Sequence, residues 1–206
     1  MGLYRRYIFP WLLHQAMKTE EATRHRERII PAVRGRVLEV GVGSGLNLPF
    51  YAREVESLHG IDPSAELLAR ARKAQRNLPF PIELSQASAE ALPFDDARFD
   101  SVVTTWTLCS IPDVAKALSE MRRVLKADGA FFFIEHGRSS DPRIEAWQNR
   151  LNPMWNACAG GCNMNRDIEA LVRRAGFKIA RLETGYLTKG PRLLTFHFDG
   201  RARRGA

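Results

Sequence analysis

The sequence predicts an α/β protein, built as a single domain around a seven-stranded, mostly parallel sheet flanked by helices. Two observations predict this class. Runs rich in apolar and β-branched residues recur along the chain, and segments of helical length with an apolar stripe separate most of them. Strands that alternate with helices form βαβ units, which place successive strands parallel in one sheet. The 206 residues, 45% of them hydrophobic and 26% charged, suffice to bury one sizeable core.

The strand candidates extend along the whole chain. Five of them alternate with helices, and two more follow near the end, connected by a loop that contains glycine and proline. The candidates are residues 36–40, 57–61, 82–86, 99–105, 130–135, 178–183 and 193–198.

Capping residues predict where helices begin and end. Gly129 and Gly176 stand where two helices should stop, because glycine readily adopts the left-handed conformation that ends many helices. A further helix is predicted at residues 167–175, with Asn165 as its N-cap.

Residues 1–33 are predicted to form a helical cap or lid before the domain proper at residues 34–206. Tyr4, Tyr7, Phe9 and Trp11 accompany a short apolar run that is broken by proline, far below the roughly 20 apolar residues of a membrane span. No small-residue cleavage site follows, which argues against a signal peptide. Three roles stay open for this segment: a peripheral membrane anchor, a lid over an active site, or a terminal helix packed on the core.

The formal net charge of +8 allows several anionic partners. The basic residues are spread along the chain, except for a cluster at residues 24–28 and a tail at residues 201–204. Neither forms a basic helix interleaved with aromatic residues for base stacking, so a solvated basic face is favoured and no nucleic-acid partner is expected.

Three cysteines, Cys109, Cys158 and Cys162, are too few for a disulfide framework and indicate a reducing compartment, so a cytoplasmic location is expected. A structural zinc site needs four ligands, and His136 is the only histidine near these cysteines in sequence. We therefore expect no metal site.

A glycine loop follows the first strand. Gly41, Gly43 and Gly45 come directly after an apolar run whose penultimate position is Glu39. In dinucleotide folds such a loop holds a pyrophosphate, but the spacing there is G-x-G-x-x-G, and an anion is a poor neighbour for a glutamate. A ligand with a positive charge and a nucleoside fits better, and S-adenosylmethionine has both.

A second acid supports this interpretation. Asp62 ends the predicted second strand, where its carboxylate can accept hydrogen bonds from both hydroxyls of a ribose. Glu39, the glycines and Asp62 in this order are a stronger signal than the loop alone.

Four segments, "VLEVGVGSGLNLPFY", "GIDPS", "ASAEALPFDDARFDSVV" and "EMRRVLKADGAFFFIEH", resemble successive motifs of the class I S-adenosylmethionine-dependent methyltransferases. The likeness covers residues 34 to 136 and is greatest to the small-molecule and lipid branch, which includes the ubiquinone C-methyltransferases. It implies a Rossmann-like fold and a role for each matching position. The methionine part would lie against Glu39 and the three glycines, the ribose against Asp62 with Pro63 and Ser64, and the adenine against Ser88 and Ala89, with Thr105 at the end of the fourth strand.

A narrower likeness continues to about residue 176. The segments "WTLCSIPD", "FFFIEHGRS" and "NPMWNACAGGCNMNRDIEALVRRAGF" resemble bacterial phospholipid- or ubiquinone-type methyltransferases and animal alkyl thiol methyltransferases. This resemblance implies a small, fairly apolar acceptor such as a thiol, a lipid amine or a quinone-like ring. The aromatic N-terminal segment and an insert at residues 141–166 would supply its pocket.

Methyl transfer is an in-line displacement, so the enzyme chiefly aligns its reactants in a dry pocket. His136, at the end of the fifth strand, is the candidate base or orienting group, and a structural histidine is the alternative. Trp106, Cys109 and Trp155 are candidates for the acceptor pocket, and core packing is the alternative for each.

Two other functions stay open. The chain can be a non-catalytic S-adenosylmethionine-binding protein that regulates or scaffolds a partner. It can also be a nucleic-acid methyltransferase, although those that methylate amino groups typically carry Asn/Asp-Pro-Pro-Tyr-like residues where this chain has Thr-Trp-Thr-Leu after the fourth strand. The sequence does not predict the oligomeric state.

Overall fold

A computed structural model describes residues 9–75 and 78–205. The strands form one seven-stranded sheet, as predicted. In chain order they are β1 (Gly35–Val40), β2 (Val55–Asp62), β3 (Ile82–Gln86), β4 (Phe99–Thr105), β5 (Leu125–His136), β6 (Phe177–Tyr186) and β7 (Phe196–Arg204). The helices are α1 (Phe9–Ala16), α2 (Glu20–Ile29), α3 (Ala65–Ala74), α4 (Val114–Val124), α5 (Pro142–Cys158) and α6 (Ile168–Arg174).

The spatial order of the strands is β3-β2-β1-β4-β5-β7-β6. Strands β1 to β5 run parallel, and β7 runs antiparallel between β5 and β6. The order reverses between β1 and β4, so a crevice is expected where their carboxyl ends diverge. This arrangement confirms the mostly parallel α/β sheet and places the glycine loop at the edge where open α/β sheets bind ligands.

Alternating side chains of the sheet fill two apolar layers. Phe131 and Phe133 of β5 belong to the layer that packs against α4 and α6, whereas Phe132 belongs to the layer on the opposite face. The same alternation separates Val102 from Val103. Burial on both faces explains why these strands are continuous apolar runs rather than alternating ones.

Two predicted helix boundaries were wrong. Helix α4 ends at Val124 and β5 begins at once, so Gly129 lies inside a strand, where a side chain would come within 2.6 Å of Leu125 Cδ1. The N-cap of α6 is Asp167, whose carboxylate accepts the backbone N–H of Ala170 at 3.0 Å, whereas the Asn165 amide donates to Asn149. Gly176 does follow α6, with a φ of +84°.

The last strand extends from Phe196 to Arg204 instead of residues 193–198, because Leu193 and Leu194 lie in a turn before it and the arginines that resembled a charged tail belong to it. Ala202 is buried and pairs with Phe131 of β5, while Arg201 and Arg203 between the inward-facing positions are exposed. The guanidinium of Arg201 lies 5.3 Å from the ring centre of Phe132. Alternation of small or aromatic residues with arginine is a half-buried strand pattern.

No helix in the described ranges is long and apolar enough to cross a membrane. The side chains of Tyr4, Tyr7 and Phe9, on which the anchor hypothesis partly depends, lie outside what the structure describes. Trp11 is described and is 49% exposed.

Candidate active site

The glycine loop leaves β1 and leads into a single 3-10 turn at Leu48–Phe50, followed by β2. The part of a ligand that lies against this loop therefore meets loop backbone and side chains.

The three glycines have different surroundings. A Cβ atom on Gly41 would overlap the Thr107 side chain, and one on Gly45 would lie 3.2 Å from Ala71 Cα in α3. A Cβ atom on Gly43 would have no neighbour nearer than the Gly41 carbonyl at 3.9 Å. Gly41 and Gly45 thus allow close packing, whereas Gly43 borders open space that a ligand can enter.

Asp62 is held directly against this open part of the loop. Its Oδ2 atom accepts the Gly43 backbone N–H at 3.0 Å, and its Oδ1 atom accepts that of Ser64 at 2.8 Å. The carboxyl is buried, and burial raises its pKa although the two hydrogen bonds oppose the shift. A carboxylate offers about four lone-pair sites, so two are left for other donors.

Glu39 lies fully enclosed beneath the loop. Its carboxylate accepts hydrogen bonds from Asn47 Nδ2 at 2.8 Å and from the Tyr51 hydroxyl at 2.9 Å. Burial raises the pKa of Glu39 to about 7, and these hydrogen bonds and the charge of Arg26 oppose the shift. Glu39 therefore acts on the loop through Asn47 and Tyr51.

The Asn47 side chain joins three elements. Its Nδ2 atom donates to Glu39 of β1 and, at 3.0 Å, to Thr105 Oγ1 of β4, while its Oδ1 atom accepts Arg26 Nε of α2 at 2.9 Å. Arg26 also donates to the Met17 carbonyl at 2.8 Å. The N-terminal helices are thereby fastened to the end of the sheet.

The prediction of a solvated basic face was wrong for Arg26, which is only 3% exposed. The signal that would have located it is helical spacing, because Ala22, Arg26 and Ile30 recur every four residues and all three are buried. Helix α1 reaches the same loop, where His14 Nδ1 lies 2.6 Å from Ser44 Oγ.

The predicted adenine side of the site follows the ends of β2 and β3. The Pro63 carbonyl accepts Gln86 Nε2 at 2.8 Å, which ties the two strand ends together. Ser88 is exposed, and its hydroxyl accepts the Glu90 backbone N–H at 3.2 Å, while Ala89 packs against the core.

Trp106, directly after β4, has a φ of +49°, which is uncommon for a bulky residue and is found preferentially at functional sites. Its indole Nε1–H donates to His197 Nε2 at 2.9 Å, and the Arg26 guanidinium lies 4.9 Å from its ring centre. Because the Thr195 carbonyl can only accept, His197 Nδ1 is the protonated nitrogen at 2.8 Å from it. Burial lowers the pKa of His197 to about 4, so this ring is neutral near neutral pH.

A cavity of about 190 Å³ opens beside His197, between α2 and the strands β6 and β7. His25 Nδ1 lies 2.5 Å from Asp199 Oδ2 at its wall, and Arg28 also bonds that oxygen. Asp199 Oδ1 is buried without a hydrogen-bond partner among the described residues. Sequence reasoning missed this histidine–carboxylate pair, because its members are 174 residues apart.

The candidates Cys109 and His136 come together with Cys162, although the sequence separates the three widely. Their sulfur and nitrogen atoms all lie within 4.8 Å of one another, and His136 Nε2 is 3.0 Å from Cys162 Sγ. Hydrogen bonds from the Cys109 thiol and the His136 imidazole lower the pKa of Cys162, despite burial. The half-buried Trp155 side chain also lowers the pKa of Cys162. The third cysteine, Cys158, is exposed and is not part of this group.

Glu135 fixes the loop that carries Cys109. Its buried carboxylate accepts the backbone N–H groups of Thr107 at 2.9 Å and of Leu108 at 3.1 Å. Burial raises the pKa of Glu135 to about 7, against these hydrogen bonds. The loop after β4 is therefore held from below by β5.

Comparison with known proteins was consistent across sequence and structure. Residues 38–133 match the family model described as a methyltransferase domain. The chain is 41% identical over 122 residues to a phosphatidylethanolamine N-methyltransferase of Cereibacter sphaeroides, covering 58% of this chain and 60% of that protein. It is 32% identical over 157 residues to the thiol S-methyltransferase TMT1A of Homo sapiens, covering 74% and 64%.

A putative methyltransferase of Bacillus subtilis, YrhH, is 31% identical over 134 residues, and the match covers 63% of this chain and 74% of that protein. The fold superposes on the crystal structure of a putative methyltransferase of Bacillus halodurans with a TM-score of 0.71 at 18% identity, covering 89% of this chain and 98% of the other. The matches to the phosphatidylethanolamine N-methyltransferase and to TMT1A span less than two thirds of the length of those two proteins.

Two features define a class I methyltransferase architecture. One is the strand order with an antiparallel β7, and the other is a glycine loop bonded to an acid at the end of β2. The chain belongs to the class I S-adenosylmethionine-dependent methyltransferases.

Proposed function

We propose that this protein transfers a methyl group from S-adenosylmethionine to a small, fairly apolar acceptor such as a thiol, a lipid amine or a quinone-like ring. The observation that carries the proposal is the hydrogen bond between Gly43 and Asp62, at the one loop glycine that borders open space. Family membership supports the donor, and the names of the amine- and thiol-methylating relatives support the acceptor class.

The residues present suit the donor. Asp62 keeps lone pairs for the ribose hydroxyls, and Gly43 leaves room for the ligand to approach the backbone. Glu39 supports the proposed methionine side of the loop from below, through its bonds to Asn47 and Tyr51. The sulfonium of the methionine part supplies an activated methyl carbon when bound. Ser88 and Ala89, with Pro63 and Thr105 nearby, complete the proposed donor site.

The acceptor side is proposed to lie around Trp106, at the ends of β4, β5 and β7. The cavity beside His25 and His197 adjoins it, because the Trp106 indole bonds His197 directly. Residues 1–33 act as a lid in this proposal, since α1 and α2 both contact the glycine loop region. The insert at residues 141–166 contributes Trp155 and Cys162 to the opposite wall.

An amine or thiol acceptor must lose a proton, and His25 is the proposed proton acceptor. Asp199, whose side chain is 2% exposed, orients the His25 ring through the 2.5 Å contact. His136 is the less suitable base, because its Nε2 atom faces Cys162 and its Nδ1 atom is buried without a partner among the described residues.

Calorimetric titration with S-adenosylmethionine and with its demethylated product tests the donor site. A product assay over thiols, lipid amines and quinols then tests transfer. Binding with turnover on one class supports the proposal and identifies the acceptor. Binding without turnover on any class favours the non-catalytic binding protein, and absence of binding refutes both.

We further propose a cytoplasmic protein that contacts membranes peripherally through its N-terminal segment, where Trp11 is half exposed. Flotation with vesicles of phosphatidylethanolamine and phosphatidylglycerol tests this contact. The full chain should float and the Trp11→Ala variant should float less, whereas equal recovery of both in the soluble fraction argues against an anchor.

A further inference from the structure

We propose that Cys109, His136 and Cys162 form a binding site for a thiophilic divalent metal ion of the zinc type. Each offers a ligand that zinc prefers, namely thiolate sulfur or imidazole nitrogen. The three atoms lie within 4.8 Å of one another and come from three separate parts of the chain: the loop after β4, the end of β5 and the loop after α5. The proposal goes beyond methyl transfer, because metal binding here needs neither donor nor acceptor.

The spacing of the three atoms is close to what zinc requires. Zinc–sulfur bonds of about 2.3 Å and zinc–nitrogen bonds of about 2.0 Å in a tetrahedron place neighbouring ligand atoms roughly 3.5 Å apart. His136 Nε2 and Cys162 Sγ are 3.0 Å apart and need to separate only slightly. The imidazole can make this adjustment, since its Nδ1 atom has no hydrogen bond to any described residue.

The loops that carry the ligands are fastened to one another. Asn163 donates both its backbone N–H and its side-chain Nδ2 to the Cys109 carbonyl, at 2.9 and 3.0 Å. Arg166 bonds the Leu108 carbonyl, and its own carbonyl accepts the backbone N–H of Arg138 just beyond β5 at 2.8 Å. The ligands are thereby brought together by backbone contacts, as a preorganised site requires.

The charges of the ligands themselves suit a divalent ion. Metal binding deprotonates thiols, so two bound thiolates would neutralise a divalent cation. The Arg166 guanidinium interacts with both cysteines and with the buried Glu135 carboxyl. Three protein ligands also leave a fourth coordination position open, as in catalytic rather than structural zinc sites.

The test uses the purified full chain, stripped with a chelator and kept reduced. Zinc is titrated in competition with a chromophoric chelator. Wild-type protein should bind about one equivalent, and Cys109→Ser and Cys162→Ser should each weaken binding by at least about 100-fold, because loss of outer-shell partners alone costs 10- to 100-fold. Cys158→Ser is the matched control, since that cysteine is exposed and outside the cluster, and it should bind like wild type.

A second measurement needs no variant and covers the case in which the serine variants fail to fold. Alkylation of the wild-type chain is followed at each cysteine by mass spectrometry. Zinc should slow modification of Cys162 at least about tenfold and leave Cys158 unchanged. The proposal is overturned by stoichiometry far below one equivalent, by equal loss of binding in Cys158→Ser, or by a zinc-independent alkylation rate at Cys162.

Discussion

The backbone N–H of Gly43 donates to Asp62 Oδ2 at 3.0 Å, so the loop after β1 and the acid at the end of β2 form one unit. Because Asp62 also accepts from Ser64, the same carboxylate fixes the first turn of α3. The proposed methionine and ribose positions are therefore not independent, and a change in either should be felt by the other.

The first prediction concerns the charge of Asp62. Asp62→Asn should weaken S-adenosylmethionine binding by about 10- to 100-fold, because hydrogen bonds to a charged group contribute about 1.5 to 3 kcal/mol. Isothermal titration calorimetry measures the change. The exposed Asp128→Asn variant is the control, and equal affinities for Asp62→Asn and the control would exclude the proposed ribose contact.

The second prediction separates two glycines that look alike in sequence. Gly41→Ala should lower the melting temperature, because its methyl group overlaps Thr107. Gly43→Ala has space, so its instability should be limited to the roughly 1 to 2 kcal/mol of a left-handed residue, while donor affinity falls strongly. Thermal unfolding and calorimetry on both variants decide, and a reversed pattern would mean that Gly43 does not face the ligand.

The third prediction concerns the N-terminal helices. Arg26→Ala should lower the free energy of unfolding by about 2 to 4 kcal/mol, since it removes buried hydrogen bonds to Asn47 and Met17 and the contact with the Trp106 ring. Arg24→Ala, on the exposed face of the same helix, should change it by less than about 0.5 kcal/mol. Urea denaturation measures both, and similar losses in the two variants would contradict the anchoring role.

The fourth prediction concerns the proton acceptor. His25→Asn should lower kcat/KM for an amine or thiol acceptor by about 10²- to 10⁴-fold, while the dissociation constant for S-adenosylmethionine stays unchanged. Arg24→Ala serves again as the control in α2, and full activity of His25→Asn would place the base elsewhere.

The fifth prediction is a pH dependence of stability. The folded chain holds the Glu39 proton up to a pKa of about 7, whereas the ordinary value is 4.5. Between these pH values the folded state therefore binds more protons than the unfolded state. The stabilisation that the Glu39 proton gives the folded state is fully present below about pH 4.5 and is lost as the pH rises through about 7. Its size is on the order of 3 kcal/mol.

Glu39→Gln isolates this effect, because amide and protonated acid have similar shapes. Relative to wild type, the variant should become progressively more stable from pH 5 to pH 7.5 in urea denaturation. Comparison with the wild type removes the opposite contribution of His197, whose pKa is lowered to about 4 by burial. A difference that does not vary with pH would show that the folded chain does not retain the Glu39 proton over this range.

The sequence predicted the sheet and the loop well because both depend on local patterns. β4 and β3 were predicted to the residue, since each is an apolar or β-branched run with clear boundaries. Gly129 was misread because a glycine that makes room for Leu125 and one that ends a helix look the same in sequence. The arginines of β7 were interpreted as a basic tail because of their charge, although their alternation with Ala202 is the pattern of a strand.

The parts of the site that sequence reasoning missed depend on contacts across long separations. His25 meets Asp199 only across the paired strands near the end of the chain, and Cys162 joins the predicted candidates Cys109 and His136 only where the loops close over the strand ends. The burial of Arg26 could have been predicted from its helical spacing. The burial of its partner Asn47 could not, because no sequence pattern distinguishes a buried loop amide from an exposed one.

The strand order also bears on how the protein behaves at high concentration. Strands β3 and β6 are the two edges of the sheet, and unpaired edges can recruit strands from other molecules. β3 is only five residues long, and β6 presents Lys178, Arg181 and Glu183 along its length. Short length and mixed charge make both edges poor templates for added strands, which protects the folded chain against aggregation through its sheet.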